Sequence, residues 1–374
     1  MKFMALPRVY RAIGLMSGTS LDGVDVALVE TDGRDYAAPE ESFYLPYDSA
    51  LREKIRACFG QTERTPEIAA TEKELTLAHA QAVRMFLLRE GLDAADIDVI
   101  GFHGQTITHD PARGFTWQLG DGALLARETG IDVVNDFRNN DVRAGGQGAP
   151  LLPLYHRARA VSPCLPRPVA ILNIGGVANL TWIGEGADDI LAFDTGPGNA
   201  LIDDAVLRET GKRFDEDGKL ARAGRVQEDL LQSWMDHPFF AARPPKSLDR
   251  NAWQAKGQMS DAETLPLPDR IATLTAFTVR SVLRGAEHFP APVRAVYVAG
   301  GGRLNAMIMA GLAEGFDGVS VRKVDDLGWN GDALEAEGFA YLAARSLEEL
   351  PLSLPGTTSV PRPVTGGVLH KKSA

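Results

Sequence analysis

Three apolar runs, each closing on a glycine-rich turn, punctuate this chain. The first, Arg11 to Met16, leads into Ser17-Gly-Thr-Ser-Leu-Asp-Gly23. Val24 to Glu30 then alternates apolar and polar residues, as a half-buried strand does. Strand, glycine turn and strand predict a hairpin whose tip offers bare backbone amides. The second run, Val169 to Ile174, ends on Gly175-Gly176, and Val177 to Ile183 follows. This repeats the first layout after about one domain length, so a weak internal duplication is predicted. The third run, Ala295 to Ala299, enters Gly300-Gly301-Gly302 and continues through Arg303 to Ala313 as an amphipathic helix.

Helical segments lie between these turns. Thr71 to Glu90 is rich in alanine and leucine, acidic early, and carries Arg84 and Arg89 late, in keeping with a helix dipole. Leu265 to His288 reads the same way. The proline-rich stretch Ser162 to Pro168 is the best domain boundary. It predicts an N-terminal domain of residues 1–165 and a C-terminal domain of 166–374, the latter ending in a surface tail from Pro351 onward. Alternating strands and helices with this glycine placement indicate an α/β fold.

Size agrees, since 374 residues exceed what one core usually organises. The net charge of −11 argues against a sequence-independent grip on nucleic acid, yet a small anion can still be held by local amides and arginines. Cys58 and Cys164 are too few for a disulfide framework and fit a reducing compartment, so a cytoplasmic location is expected. Residues 1–10 have no apolar region behind Lys2 and Arg8, and no run of about 18 apolar residues occurs. Neither a signal peptide nor a membrane partner is expected.

Phosphate binding needs many short donors, and Ser17, Gly18, Thr19 and Ser20 have the composition of such a cradle. A plain hairpin turn has it too. No Walker-A loop competes, because Gly211-Lys-Arg and Gly218-Lys-Leu lack the upstream glycine and the hydroxyl residue. The protein-kinase signatures are also missing. Phosphoryl transfer, if it occurs, therefore uses the two hairpins, with nucleotide between domains. Gly300, Gly301 and Gly302 suit a ribose or α-phosphate beside a helix start, or simply a tight strand-to-helix turn. In Phe193-Asp194-Thr-Gly-Pro-Gly-Asn199, Asp194 ends a strand at the mouth of a sheet, where sites in open α/β sheets lie. Its carboxylate suits catalysis, and it also suits bracing an Asx-turn. His103-Gly-Gln-Thr106 and Asp136-Phe-Arg138, with Gly145-Gly146-Gln147-Gly148 beyond, read as polar loops that match sugar hydroxyls and N-acetyl groups. His103 and His109 lack the carboxylate or cysteine spacing of a metal site, and a hydrogen-bonding role is expected for them.

Taken together, these segments resemble the anhydro-N-acetylmuramic acid kinase family. The resemblance rests on GLMSGTSLDGVD at Gly14–Asp25, GFHGQTITHDP at Gly101–Pro111, Thr129–His156, LNIGGVANLT at Leu172–Thr181, FDTGPGNALID at Phe193–Asp203, and VAGGG with Asn305. It covers about residues 12–370. It implies two RNase H-like domains of the actin-like ATPase class around a nucleotide cleft. It also implies an ATP- and Mg²⁺-dependent reaction that opens 1,6-anhydro-N-acetylmuramic acid with water and phosphorylates O6, a step in cell-wall recycling. By that resemblance Asp194 is the general base. Gly18, Thr19, Ser20, Leu21, Asp22, Gly23, Val24 and Asp25, with Gly175, Gly176, Asn179, Gly300, Gly301, Gly302 and Asn305, would contact nucleotide. Thr106, Arg138, Gly146, Gln147 and Glu335 would lie near the sugar. Many members carry DFRRRD where this chain has Asn139 and Asn140, so fewer cations than usual face the lactyl carboxylate, with Arg138 and Arg143 left for it. Asp22 or Asp25 could support the metal through water, although no ligand set is legible. The family also suggests a homodimer. Two alternatives are a kinase of a free sugar or small acid, and a nucleotide-gated actin-like binding protein.

Overall fold

The computed structural model describes residues 7–18, 20–248, 253 and 260–372. Thr19, expected in the phosphate cradle, lies outside the described residues. The chain forms two compact units, Met1–Cys164 with Ala333–Ala374, and Leu165–Asp332.

In the first unit, β1 (Tyr10–Ser17), β2 (Gly23–Thr31) and β3 (Ala37–Pro46) run as an antiparallel meander. Then β4 (Val99–Asp110) lies parallel to β1, and β6 (Val133–Asn135) parallel to β4, while β5 (Phe115–Leu119) folds back on β4. Ile13, Leu15, Val26, Ile100 and Phe102 pack against Leu75, Val83 and Phe86 of the helix Pro66–Glu90. That helix begins five residues before the predicted Thr71. Thr65 caps it by accepting from the Ile68 amide at 3.3 Å, and Pro66 fills its first turn, a start signal that the alanine–leucine pattern does not carry.

The second unit repeats the plan. β7 (Val169–Ile174), β8 (Val177–Ile183) and β9 (Ile190–Pro197) form the meander. β10 (Ala295–Ala299) is parallel to β7, and β11 (Ser320–Lys323) parallel to β10. Leu172, Ile174, Leu180 and Phe193 meet Ile271, Phe277 and Val282 of the helix Leu267–Ala286. Three antiparallel strands followed by two parallel ones, in the same spatial order in both sheets, bear out the duplication and the paired RNase H-like class.

The domain limits need correction. Residues 166–374 do not form one domain, because the chain returns to the first unit at Ala333. The helix Leu334–Leu347 packs on β1, β2 and β4 so closely that a Cβ on Gly14 would sit 1.8 Å from the Ala336 carbonyl oxygen, and one on Gly101 2.0 Å from that of Phe339. A buried cluster holds the same helix to the helix Pro153–Val161. Arg159 pairs with Glu337 at 3.0 Å, and the Tyr155 hydroxyl donates to Glu337. Burial pushes the Glu337 carboxyl up, and the Arg159 charge opposes that shift. Nor does the tail merely drape. Thr357, Thr358 and Val360 are buried, and β12 (Val368–His370) pairs with β6, whose edge is otherwise open. Among the described residues, no helix is long and apolar enough to cross a membrane.

Candidate active site

In the first unit the β1–β2 connection forms the tip expected to hold phosphate. Leu21 turns it with φ +57° and donates its amide to the Gly18 carbonyl at 3.1 Å. The Leu21 and Val24 side chains are in the core, so only their backbones can face a ligand. Gly23 is glycine for packing, since a Cβ there would lie 2.3 Å from the Leu45 carbonyl oxygen. Gly18 differs: a Cβ there meets nothing nearer than the Ser20 hydroxyl at 3.7 Å. Asp22 and Asp25 are half-buried. Ser17 departs from the cradle reading. It is 1% exposed, and its hydroxyl donates to Gln105 at 2.7 Å.

The loops expected to bind sugar gather in the same unit. Thr106 projects from β4 and accepts from the Gln118 amide of β5 at 3.2 Å. A recess of about 190 Å³ adjoins Gln118 and is lined also by His103, Gly104, Trp117, Asp136 and Asn139. Arg138, expected to face a substrate anion, is engaged within the protein itself. Its guanidinium donates to His103 Nε2 at 3.0 Å and to the Gly148 carbonyl at 2.6 Å, tying both loops together. Burial and the neighbouring Arg138 charge push the His103 pKa well down, so the neutral ring keeps its proton on Nδ1, bonded to the Gly104 carbonyl at 2.7 Å. His109 Nδ1 lies 2.9 Å from the Thr116 hydroxyl, and the described residues contain no cluster of three metal-ligating side chains. Asp141 braces the next turn by accepting from the Gly148 amide at 2.6 Å and the Thr358 hydroxyl at 2.5 Å. A Cβ on Gly146 would strike Asp141 Oδ1, which explains that glycine, and the Gln147 amide is bound to the Thr358 carbonyl. Glu335, half-buried, stands in the first turn of the helix Leu334–Leu347.

The second unit holds Asp194. The strand does not end there, as predicted, but runs on to Pro197. Asp194 faces Asn179 across a register shift between Ala178 and Asn179, and such irregularities re-aim side chains. Only 8% of Asp194 is exposed. Its amide donates to the Lys246 carbonyl at 2.9 Å, and the Leu248 amide donates to its Oδ2 at 2.7 Å, so the carboxylate is held in one orientation. Sequence reasoning missed this Lys246–Leu248 segment, whose one local signal is the preceding Pro244-Pro245 break. The Lys246 ammonium donates to the Phe239 carbonyl at 2.8 Å, and burial lowers its pKa to about 8.

The glycines of this unit's two turns differ in the room around them. Gly175 and Gly176 join β7 to β8, and their carbonyls accept from the amides of Asn199 and Gly198 at the start of the helix Ala200–Thr210. A Cβ on Gly175 would find 3.8 Å of room. Gly300 has φ +72° and would clash with Asn173, and Gly302 would clash with Ile174. Gly301 is the least crowded of the three, its Cβ position 3.3 Å from the nearest atom, the Asn199 side-chain Nδ2. The glycines do not enter the helix directly. A short turn, Gly301–Leu304, intervenes, and the Asn305 side chain caps the helix Ala306–Gly315 by accepting from Met307 and Ile308 at 3.0 and 3.3 Å. Asn305 is therefore a cap rather than an evident ligand, and the helix amides it satisfies are not offered to phosphate. Arg303, 3% exposed, fixes the turn through Asp325 at 2.8 Å and Asp332 at 2.7 Å.

Comparison with known proteins adds identity to this geometry. Residues 10–372 match the family model described as anhydro-N-acetylmuramic acid kinase. A protein of that name from Rhizorhabdus wittichii is 50% identical over 366 residues, spanning 96% of this chain and 98% of the relative. Another from Paramagnetospirillum magneticum is 51% identical over 365 residues, spanning 96% and 99%. A third, from Nitrobacter winogradskyi, is 49% identical over 372 residues, spanning 96% and 99%. With the glycine turns, the polar loops and the oriented Asp194 all present, this chain belongs to the anhydro-N-acetylmuramic acid kinase family.

Proposed function

We propose that this enzyme uses ATP and water to convert 1,6-anhydro-N-acetylmuramic acid into N-acetylmuramic acid 6-phosphate, with Asp194 as the general base, in peptidoglycan recycling. The family match over residues 10–372 carries the reaction class. The oriented carboxylate of Asp194 supports the assignment of the base.

The substrate's chemistry sets the order of events. In the anhydro sugar O6 is bonded to C1, so no hydroxyl is free to attack phosphate. Asp194 takes a proton from water as that water adds to C1. The C1–O6 bond breaks through an oxocarbenium-like state, and O6 leaves with the electron pair. O6 then attacks the γ-phosphorus of ATP in line, and ADP departs. This transfer depends mostly on positioning and charge stabilisation by amides of the glycine turns. Thr106, Gly146 and Gln147 would orient the sugar, with Glu335 near it. Because Arg138 is already bonded to His103 and Gly148, Arg143 is the better candidate for the lactyl carboxylate.

Asp22 and Asp25 fit Mg²⁺, a cation that keeps several waters and needs only one or two carboxylates beside phosphate oxygens. When bound, Mg²⁺ would neutralise charge on the β- and γ-phosphates.

The open glycines provide the test of the nucleotide site. Gly18→Val adds a Cβ with no atom nearer than 3.7 Å, and Gly301→Val adds one 3.3 Å from the Asn199 side-chain nitrogen, which has to give only slightly, so the fold should survive. Nucleotide affinity by calorimetry should fall at least about tenfold, because backbone can no longer approach phosphate or ribose. Unchanged affinity in both variants would move the nucleotide elsewhere.

A further inference from the structure

Ser17 is the last residue of β1, directly before the turn assigned to nucleotide, and Gln105 directly precedes Thr106, assigned to sugar. The two are paired across the parallel β1–β4 boundary, where the register shifts between Leu15 and Ser17. Their side chains bond across that irregularity. The Tyr47 hydroxyl donates to Ser17 Oγ at 2.8 Å, Ser17 Oγ donates to Gln105 Oε1 at 2.7 Å, and Gln105 Nε2 donates to the Thr106 carbonyl at 3.3 Å. Tyr47, Ser17 and Gln105 are 6%, 1% and 0% exposed. We propose that this buried chain, Tyr47 to Ser17 to Gln105, couples nucleotide binding to sugar binding by holding the two segments in one register, so that all three are positioning residues.

The polarity of the chain follows from the donor inventory. A serine hydroxyl has one proton, and here it goes to Gln105 Oε1. The Ser17 lone pair then receives the Tyr47 proton. With Oε1 engaged, the Gln105 amide nitrogen is turned to the Thr106 carbonyl. One orientation of each group satisfies all the others. Burial of all three side chains keeps the chain dry, and the His79 ring packs near both Tyr47 and Phe102, with centroids 6.3 and 4.9 Å away. A hydrogen bond in such a medium is stronger than in water. Burial also pushes the Tyr47 phenol up, so it stays a donor. A nucleotide that settles the 18–25 turn thereby settles Gln105 and Thr106, and linkage makes the effect reciprocal.

The proposal rests on the nucleotide and sugar assignments above, and the test separates the two. In the full chain, the affinity of a non-hydrolysable ATP analogue is measured by calorimetry with and without saturating 1,6-anhydro-N-acetylmuramic acid. In the wild type the sugar should tighten the analogue at least about fivefold. In Ser17→Ala that factor should fall below about twofold, while affinity for the analogue alone changes little. Tyr47→Phe removes a single oxygen and should give an intermediate factor, which covers the case of a poorly folding Ser17→Ala. If the chain only braces two strands, both variants lose thermal stability and keep the wild-type factor. That result, or no coupling in the wild type, overturns the proposal. Gly18→Val and Thr106→Val check the assignments beneath it. If they leave analogue and sugar affinity intact, the assignments fail. If they weaken binding while Ser17→Ala keeps the coupling, the proposal alone fails.

Discussion

Asp194→Asn is expected to lower turnover of the anhydro sugar by about 10²–10⁴-fold, the usual worth of a general base. The amide keeps the size of the side chain and an oxygen to accept from the Leu248 amide, so the local geometry survives. What it loses is the capacity to take a proton from water. O6 is released only when the bridge opens, so hydrolysis and phosphoryl transfer should fail together. Affinities for ATP and for the sugar, and the thermal midpoint, should stay near wild type. Steady-state assays of ADP release, with calorimetry for binding, provide the comparison. A rate within a few-fold of wild type would remove Asp194 from this role. A large loss of binding would make it a ligand instead.

Gly14→Ala should produce the largest loss of stability of any single methyl added to the first unit. The new Cβ would lie 1.8 Å from the Ala336 carbonyl oxygen and 2.6 Å from the Ala340 nitrogen. Both are backbone atoms of the helix Leu334–Leu347, so no side chain can rotate away and the helix must lift from β1. Overpacking of this kind costs about 3 kcal/mol, the upper end of the usual range. Gly60→Ala is the control. Its φ is +76° and nothing lies within 4 Å, so strain alone acts, at about 1–2 kcal/mol. Chemical denaturation of both variants measures the difference. Gly14→Ala no less stable than Gly60→Ala would show that the helix does not rest on β1 so closely. The variant matters for function as well, because the same helix carries Glu335.

Local chemistry made much of this fold readable. Glycine turns after apolar strands located both hairpins, and the strands flanking Gly175 and Gly176 lie where the pattern put them. Long-range pairing was not readable. Nothing in Ala333–Leu347 says that it will cover Gly14 and Gly101, because that contact depends on two glycines more than 200 residues earlier. The tail likewise misled, since a proline- and glycine-rich composition does not exclude a three-residue strand that closes the β6 edge. At the site, residue type was legible while direction was not. Ser17 has the composition of a phosphate ligand, yet it ends a buried strand and turns to Gln105. Asn305 precedes a helix, which is itself a cap signal, and the cap accounts for it. Lys246 and Leu248 reach Asp194 from about 50 residues away, with no periodicity to announce them.

The central claim, that water opens the bridge at C1 before O6 is phosphorylated, is tested most directly by turnover in ¹⁸O-labelled water. The product should carry the label on the C1 oxygen and none in the phosphoryl group, after correction for exchange at the anomeric centre. Label in the phosphate, or none at C1 beyond that exchange, would contradict the account.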